Sequence, residues 1–281
     1  MDLRVSASNL GVLLLEKYCA CCLWFLIHLQ NQPPFRIPMA SIYNDFDHHT
    51  KRVVTAHIDA KGHAPTWLGR FSKMTEYKEP GKMRLFDSKS GVLLTGEPDA
   101  LFVDEGGGIY VIDYKTARYT NGQDALKDKY RVQLNAYRYL LEGTTDDSVA
   151  GLALVYCEPE VVSTQKQALS CVGENGFSVL FKPRVIEVKT EADAFIPDLL
   201  SKYASVAELP APPAGLEGCY DCARLEVLRS LLDTGRNLKD AILILGREKV
   251  QDLYSTFRFN DAKVPRSLGT GSAETVWSAW E

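Results

Sequence analysis

The sequence predicts an α/β fold in which helices flank a mixed central sheet. Segments with helical periodicity alternate with segments of strand periodicity, which is typical of α/β domains. The 281 residues are 46% hydrophobic and 24% charged, so the chain is long enough to bury a substantial core. High apolar content and a net charge of only -4 exclude a mainly disordered chain.

An apolar run over residues 10–29 predicts a buried amphipathic helix near the start of the chain. Glu16 and Lys17 interrupt the run, whereas a membrane-spanning helix needs about 20 mostly apolar residues. Ser6 or Ser8 is the expected N-cap, because a serine hydroxyl can accept a hydrogen bond from the first helical turn.

The pattern predicts a second helix over residues 41–59 and strands from Thr66 onward. Two apolar runs, at residues 91–103 and 109–114, are separated by the turn sequence Asp-Glu-Gly-Gly-Gly. We therefore expect a hairpin in which Val103 faces Ile109 and Leu101 faces Val111.

The next element is a helix that Asp124 can cap and Gly143 can end. Two strands, a helix and a proline hinge are predicted to follow, at residues 149–157, 177–188, 191–207 and 210–213 respectively. The hinge predicts a core over residues 1–208. A cysteine-bearing segment, with a helix at residues 225–232 and a polar tail, is predicted over residues 209–281.

The strand Ile109-Tyr-Val-Ile-Asp-Tyr-Lys115 carries the most chemical information. Alternation places Asp113 and Lys115 on one otherwise apolar face. In the expected hairpin Asp99 faces Asp113, and like charges at directly opposed positions are destabilising. A hard cation such as Mg²⁺, bound by oxygen ligands, would offset this repulsion. The alternative is a solvated strand end with a weak surface ion pair.

Polar residues also mark the inward face of the helix that follows. Gln133 and Tyr137 lie four residues apart and share this face with Tyr130 and Leu134. Buried polar groups need partners, which a site beside the sheet would supply. Six basic residues against two acidic ones between residues 114 and 138 favour a polyanionic substrate. An ordinary core helix with a solvated outer face is the alternative.

Three segments in this order resemble the motifs of PD-(D/E)XK nucleases: Gly96-Glu-Pro-Asp99, Val111-Ile-Asp-Tyr-Lys115-Thr and Gln133-Leu-Asn-Ala-Tyr137. They are most similar to the RecB-like and CRISPR-associated exonucleases. The resemblance implies a restriction-endonuclease-like core in which Asp99 and Asp113 bind Mg²⁺ or Mn²⁺. It also implies that Lys115 assists attack by water and that Gln133 and Tyr137 orient the site near DNA.

The same resemblance implies an upstream histidine or acid in the metal site. The candidates in this sequence are Asp45, Asp47, His48 and His49, and the sequence does not choose among them. We include His48 and Tyr114 with the two aspartates in the predicted metal site. A surface histidine is the alternative for His48.

Two Cys-x-x-Cys pairs, Cys19 with Cys22 and Cys219 with Cys222, supply four thiolates. Four thiolates suffice for a [4Fe–4S] cluster or for tetrahedral Zn²⁺, and we expect the cluster ahead of zinc, in a structural role. RecB-like nucleases that carry an iron–sulfur cluster use one early and three late cysteines, so this chain departs from their pattern. The alternative is that the cysteines pack as small apolar residues.

Together these features predict a metal-dependent nuclease that hydrolyses DNA, exonuclease-like, on single strands or duplex ends. An odd count of seven cysteines and a start without a signal-peptide pattern predict a cytoplasmic protein with no membrane partner. The sequence lacks a G-x-x-x-x-G-K-[ST] loop, so a helicase or another repair or defence protein would act in trans. The alternatives are a non-hydrolytic nucleic-acid-binding module and a structural metalloprotein.

Overall fold

The computed structural model describes residues 3–30, 41–119 and 126–226. The chain divides into two units, Met1–Ala214 and Gly215–Glu281. The first unit contains the sheets and helices described next. In the second unit, residues 220–226 are helical. The predicted domain boundary after residue 208 stays a prediction.

The strands of the described residues are β1 (Leu3–Ser6), β2 (Glu76–Lys78), β3 (Met83–Asp87), β4 (Val92–Gly96), β5 (Ala100–Val103), β6 (Ile109–Lys115), β7 (Val149–Pro159), β8 (Val172–Gly173), β9 (Gly176–Phe177) and β10 (Phe181–Val188). The helices are α1 (Ala7–Leu10), α2 (Ala20–His28), α3 (Ile42–Lys61), α4 (Lys127–Thr144), α5 (Gln165–Ser170) and α6 (Phe195–Ala207). Two 3₁₀ segments, Gly11–Leu14 and Thr66–Lys73, complete the set.

The central sheet is mixed, as predicted, with the strand order β10-β7-β6-β5-β2. Strands β6 and β7 are parallel, and the other neighbours in this sheet are antiparallel. Helix α4 lies on the crossover between β6 and β7, because two parallel strands need a long connection. A second sheet has the order β1-β4-β3.

The predicted hairpin register is confirmed. Leu101 pairs with Val111, and Val103 pairs with Ile109. Because side chains alternate between the two faces of a strand, this register places the odd-numbered residues of β5 and β6 on one face. Asp113 and Lys115 therefore continue the face that Ile109 and Val111 begin.

Apolar side chains cover both faces of the central sheet. The face of Leu101 and Val111 belongs to a core that includes residues of α4 and α6, namely Val132, Leu134, Leu140, Leu199, Leu200 and Tyr203. The opposite face, with Phe102 and Ile112, packs with Val54 and Ile58 of α3 and with Leu68 and Phe71 of the second 3₁₀ segment. Strand β6 is thus buried on both sides, which explains its nearly continuous apolar sequence.

The prediction of a single helix over residues 10–29 is wrong. The chain instead forms α1, the 3₁₀ segment Gly11–Leu14 and α2, after a strand β1 that the sequence analysis did not predict. Ser6 is confirmed as an N-cap, since its hydroxyl accepts a hydrogen bond from the Asn9 amide at 3.2 Å. No helix in the described ranges is long and apolar enough to cross a membrane.

Other predicted boundaries also change. Residues 66–73 form a 3₁₀ helix, and the apolar run 91–103 is two strands in different sheets. Pro98 lies between them and has no amide proton for a strand ladder. Helix α6 begins at Phe195 rather than at residue 191. The predicted cap Asp124 and most of the predicted helix 225–232 lie outside the described residues.

A close approach at Gly11 fixes the N-terminal segment against α4. A Cβ atom at this position would lie 2.4 Å from the carbonyl oxygen of Lys129. Neighbouring side chains cannot relieve this contact, because the obstructing atom belongs to the helix backbone.

We therefore expect Gly11→Ala to lower the free energy of unfolding by about 1–3 kcal/mol, the usual cost of overpacking. Gly81→Ala is the matched control, since a Cβ there would meet nothing within 4 Å. Urea unfolding followed by circular dichroism measures both variants. Equal stability of the two variants would contradict the proposed close packing.

Candidate active site

The site forms where β6 ends, around a carboxylate in the interior of the protein. Asp113 is only 2% exposed. Its Oδ1 accepts a hydrogen bond of 2.9 Å from Nε2 of Gln133, and its Oδ2 forms an ion pair with Lys115. The strand supplies the acid and the base two residues apart on one face, and helix α4 supplies the amide.

Asp99 lies directly before β5, at the same end of the hairpin. Its Oδ2 accepts a hydrogen bond of 2.8 Å from the backbone amide of Tyr114. The Tyr77 hydroxyl donates to the Asp99 carbonyl oxygen at 3.4 Å. The structure therefore brings the two predicted acids together, with the position of Asp99 set by the backbone of β6.

The electrostatics of Asp113 reflect its burial. Loss of solvation raises the pKa of Asp113 to about 6, and the negative charge of Asp99 adds to this rise. Lys115, and to a smaller extent Lys51, oppose the rise by stabilising the carboxylate. An added cation would stabilise the ionised form further.

Helix α4 presents Gln133 and Tyr137 to the site, as the sequence analysis predicts. Nε2 of Gln133 also donates to the Tyr137 hydroxyl at 2.9 Å, and Lys115 donates to Gln133 Oε1 at 3.4 Å. Burial raises the pKa of Tyr137, and the charge of Asp113 raises it further. Tyr137 is therefore a neutral hydroxyl at physiological pH, and Gln133 connects it to both charged groups.

Positive charge gathers around Lys115. Its side chain is 18% exposed, and its Nζ lies 4.5 Å from the centre of the Tyr130 ring. Burial lowers the pKa of Lys129, and the charge of Lys115 lowers it further. The positive charge of Lys115 on β6 therefore extends its effect to Lys129 on α4.

Lys51 of α3 is a site residue that the sequence analysis missed. Its Nζ lies 2.8 Å from Asp47 Oδ2 and 2.9 Å from Asp99 Oδ1. Partial burial lowers the pKa of Lys51, but hydrogen bonds to Asp47 and Asp99 outweigh this effect, so the net pKa is raised. The i,i+4 spacing of Asp47 and Lys51 on a predicted helix is a signal that could have found the pair.

Among the four upstream candidates, Asp47 shares a partner with Asp99. His48 is exposed, and its Nδ1 contacts the carbonyl oxygen of Asn44 at 2.8 Å on its own helix. Asp45 and His49 are exposed as well. The metal role of His48 stays a prediction, and the contacts described here favour Asp47 in its place.

Tyr114 contacts the site through its backbone rather than through its side chain. Its side chain points away from Asp113 into the core on the opposite sheet face and is 7% exposed. Burial raises the pKa of this hydroxyl well above its ordinary value. Asp47, Asp99 and Asp113 are called the acid cluster below. Tyr114 contacts this cluster through its backbone amide, which donates to Asp99.

A comparison with protein-family models matches residues 40–227 to the PD-(D/E)XK nuclease superfamily. The chain belongs to the PD-(D/E)XK nuclease superfamily. The match covers more than half of the sequence and confirms the predicted resemblance at the level of the superfamily. The mixed sheet with flanking helices agrees with its restriction-endonuclease-like fold. The RecB-like branch stays a prediction.

Other comparisons are more distant. A solved structure described as "Crystal structure of SSO0001" is similar with 12% sequence identity and a TM-score of 0.40. The similarity covers 76% of this chain and 80% of that chain. No curated protein matches this sequence.

Members of this superfamily typically use divalent metal ions, and the chemistry of the acids at this site suits such ions. Asp47, Asp99 and Asp113 supply carboxylate oxygens, the donors that Mg²⁺ and Mn²⁺ prefer. The buried charge of Asp113 is a further reason for a cation at this position.

The cysteines form a separate donor set of a different chemistry. Cys19 directly precedes α2, and Cys22 lies in the first turn of that helix. In the second unit, the Cys219 amide donates to the Leu216 carbonyl oxygen at 3.0 Å, and Cys222 lies in the helical residues 220–226. Cys19 and Cys22 belong to the first unit and Cys219 and Cys222 to the second, and joint binding of one metal ion by these four cysteines stays a prediction. Four thiolates suit zinc or iron–sulfur centres.

The remaining cysteines differ in their surroundings. Cys157 lies in β7 and is 5% exposed, so it belongs to the core. Burial raises the pKa of its thiol to about 11. Cys171 donates to the Gln167 carbonyl oxygen at 3.4 Å at the surface.

Replacement of Gln133 tests the central role of this amide. We expect Gln133→Met to lower the free energy of unfolding by about 1–3 kcal/mol, because Asp113 Oδ1 and the Tyr137 hydroxyl lose their amide donor. Tyr137→Phe, which removes one acceptor and keeps the amide bond to Asp113, should cost less. Chemical denaturation of both variants measures the difference, and a larger loss in Tyr137→Phe would contradict this order.

Proposed function

We propose that this protein is a deoxyribonuclease that depends on Mg²⁺ or Mn²⁺ and hydrolyses phosphodiester bonds. The observation that carries the proposal is the contact of buried Asp113 with both Lys115 and Gln133, with Asp99 anchored beside it. A carboxylate pair can hold a metal ion, and an adjacent ammonium can stabilise the charge that develops during metal-assisted phosphate hydrolysis. Membership of the superfamily supports the same reaction class.

Each residue has a defined role in this proposal. Asp99 and Asp113, with Asp47 in the upstream position, would hold the metal. When bound, the ion would polarise the scissile phosphate and lower the pKa of a water molecule. Lys115 would stabilise negative charge that develops on the phosphate oxygens.

Gln133 and Tyr137 act on the orientation of these groups. The amide of Gln133 holds Asp113 by its Nε2 and contacts Lys115 by its Oε1. Tyr137 accepts the other hydrogen bond of this amide. Helix α4 would thus keep the acid and the base at a fixed separation while the substrate binds and leaves.

The expected substrate is DNA, as single strands or duplex ends, in an exonuclease-like reaction. In this proposal, Lys115 and Lys129 would supply positive charge for the phosphates of DNA. The aromatic ring of Tyr130, next to Lys115, offers a surface on which an unpaired base can stack. We further propose a cytoplasmic location and a helicase or another repair or defence protein that acts in trans.

The four-cysteine group is proposed to bind a [4Fe–4S] cluster, with Zn²⁺ as the alternative. Its thiolates differ in chemistry from the carboxylates of the acid cluster, so the two donor sets would select different metals. We propose a structural role, because metal binding by residues far apart in sequence restrains the chain.

Substitution at the strand end tests the nuclease. Lys115→Ala should lower the cleavage rate by about a hundredfold or more, the usual cost of removing a charge stabiliser. Asp113→Asn should also lose cleavage and bind Mn²⁺ more weakly. The measurement is cleavage of labelled single- and double-stranded DNA with Mg²⁺, Mn²⁺ or EDTA.

Lys182→Ala is the control, because the ion-pair partner of Lys182 is Glu160 and not a residue of the acid cluster. Equal rates for the two alanine variants would refute the role of Lys115. Salt-sensitive DNA binding without cleavage under any metal condition would favour a non-hydrolytic module on the same fold.

Cysteine substitution tests the metal centre. Cys222→Ser should lower the iron content and reduce the free energy of unfolding by at least about 3 kcal/mol, because a bound centre stabilises the folded state. Cys171→Ser is the control outside the group. Anaerobic purification, an absorbance spectrum and metal analysis distinguish iron from zinc. A folded wild-type protein without metal, with all four thiols alkylated, would refute both centres.

A further inference from the structure

Lys51 puts an ammonium group directly on the acid cluster. It bridges Asp47, one turn earlier on α3, and Asp99, which precedes β5. Strand β6 does not contribute Lys51, and the ion pairs of this cation with Asp47 and Asp99 are separate from the Asp113–Lys115 pair. Two acids from different elements therefore share one positive charge.

The two oxygens of Asp99 are engaged differently. Oδ2 accepts the backbone amide of Tyr114, which is fixed by the pairing of β5 with β6. Oδ1 contacts Lys51 at the end of a flexible side chain. Oδ1 is therefore the oxygen of Asp99 that can exchange its partner without disturbing the sheet.

A divalent ion on Oδ1 would lie next to the Lys51 ammonium. Two positive charges about 4 Å apart repel each other strongly at the effective dielectric constant of a protein surface, and a dication doubles the repulsion. Both cations also need the same oxygen lone pairs. The ion and the lysine thus compete for Asp99.

We propose that Lys51 occupies the cation position on Asp99 in the metal-free protein and leaves it when a divalent ion binds. Lys51 therefore weakens the metal affinity of the site. This inference rests on the proposed metal role of Asp99 and Asp113.

The surroundings of Lys51 allow it to move. Its side chain is 28% exposed, compared with 18% for Lys115, so solvent can receive the displaced ammonium. Once Lys51 moves, Asp47 also loses its ion-pair partner and becomes available as a ligand. Metal entry would therefore expose a second carboxylate.

The experiment is a Mn²⁺ titration of the full chain without DNA, with free Mn²⁺ measured by electron paramagnetic resonance. Lys51→Met should tighten Mn²⁺ binding by about tenfold or more, because a competing charge is removed. Lys182→Met, which also loses an ion pair, should bind like wild type. Asp113→Asn defines the signal that belongs to the acid cluster.

One outcome would overturn the role of Lys51 but not the proposed nuclease. In it, Asp113→Asn loses the Mn²⁺ binding of the wild type, and Lys51→Met binds Mn²⁺ no more tightly than the wild type. If Asp113→Asn binds Mn²⁺ as tightly as the wild type, the proposed metal site is wrong, and both proposals fail with it.

A second measurement uses the wild-type chain and does not depend on the folding of a variant. Acetylation with acetic anhydride, read by mass spectrometry, should modify Lys51 severalfold more when Ca²⁺ or Mn²⁺ is added. Modification of Lys182 should not change. Metal-dependent protection of Lys51, or no change, would contradict its displacement.

Discussion

The carboxylate of Asp113, buried at the end of an apolar strand, is the constraint on which the rest of the site depends. An ionised group in the protein interior costs several kcal/mol unless a charge and hydrogen bonds compensate it. Lys115 and Gln133 provide this compensation from two different elements. Helix α4 must therefore pack in one rotation about its axis, with Gln133 facing β6, because the buried carboxylate of Asp113 needs this hydrogen bond.

This requirement links the fold to the geometry of the acids. Gly96 ends β4 beside α4, and a Cβ atom there would lie 2.8 Å from side-chain atoms of Tyr137 and Leu140. The chain then turns through Pro98, and Asp99 meets the amide of Tyr114. A register slip of one residue in β5 would turn Asp99 to the opposite face. The same contacts that pack α4 on the strands thus determine where the acids meet.

Alternation along β6 predicted the face of Asp113 and Lys115, and the hairpin register followed from two opposed apolar pairs. The alternation along a strand and the register of a hairpin depend on residues close together in the sequence, so both can be predicted from it. The pairing of β1 with β4 joins Leu3 to Val92, and no periodicity within either segment specifies so distant a partner. The contact of Lys51 with Asp99 has the same origin, because it depends on how α3 crosses the end of the sheet. The local sequence pattern therefore predicted Asp113 and Lys115 on one strand, but it missed Lys51, which comes from another element.

The two lysines of the site differ in what holds them. Lys115 contacts an acid, an amide and the face of an aromatic ring, and each contact restricts its position. Lys51 contacts two carboxylates, which would themselves prefer a cation of higher charge. Three carboxylates and two ammonium groups leave one net negative charge in the metal-free cluster, and exchange of Lys51 for a divalent ion would bring that net charge to zero. This exchange would remove the repulsion between the cluster and a phosphate anion, so in the proposed sequence Lys51 neutralises the acids only until the metal binds.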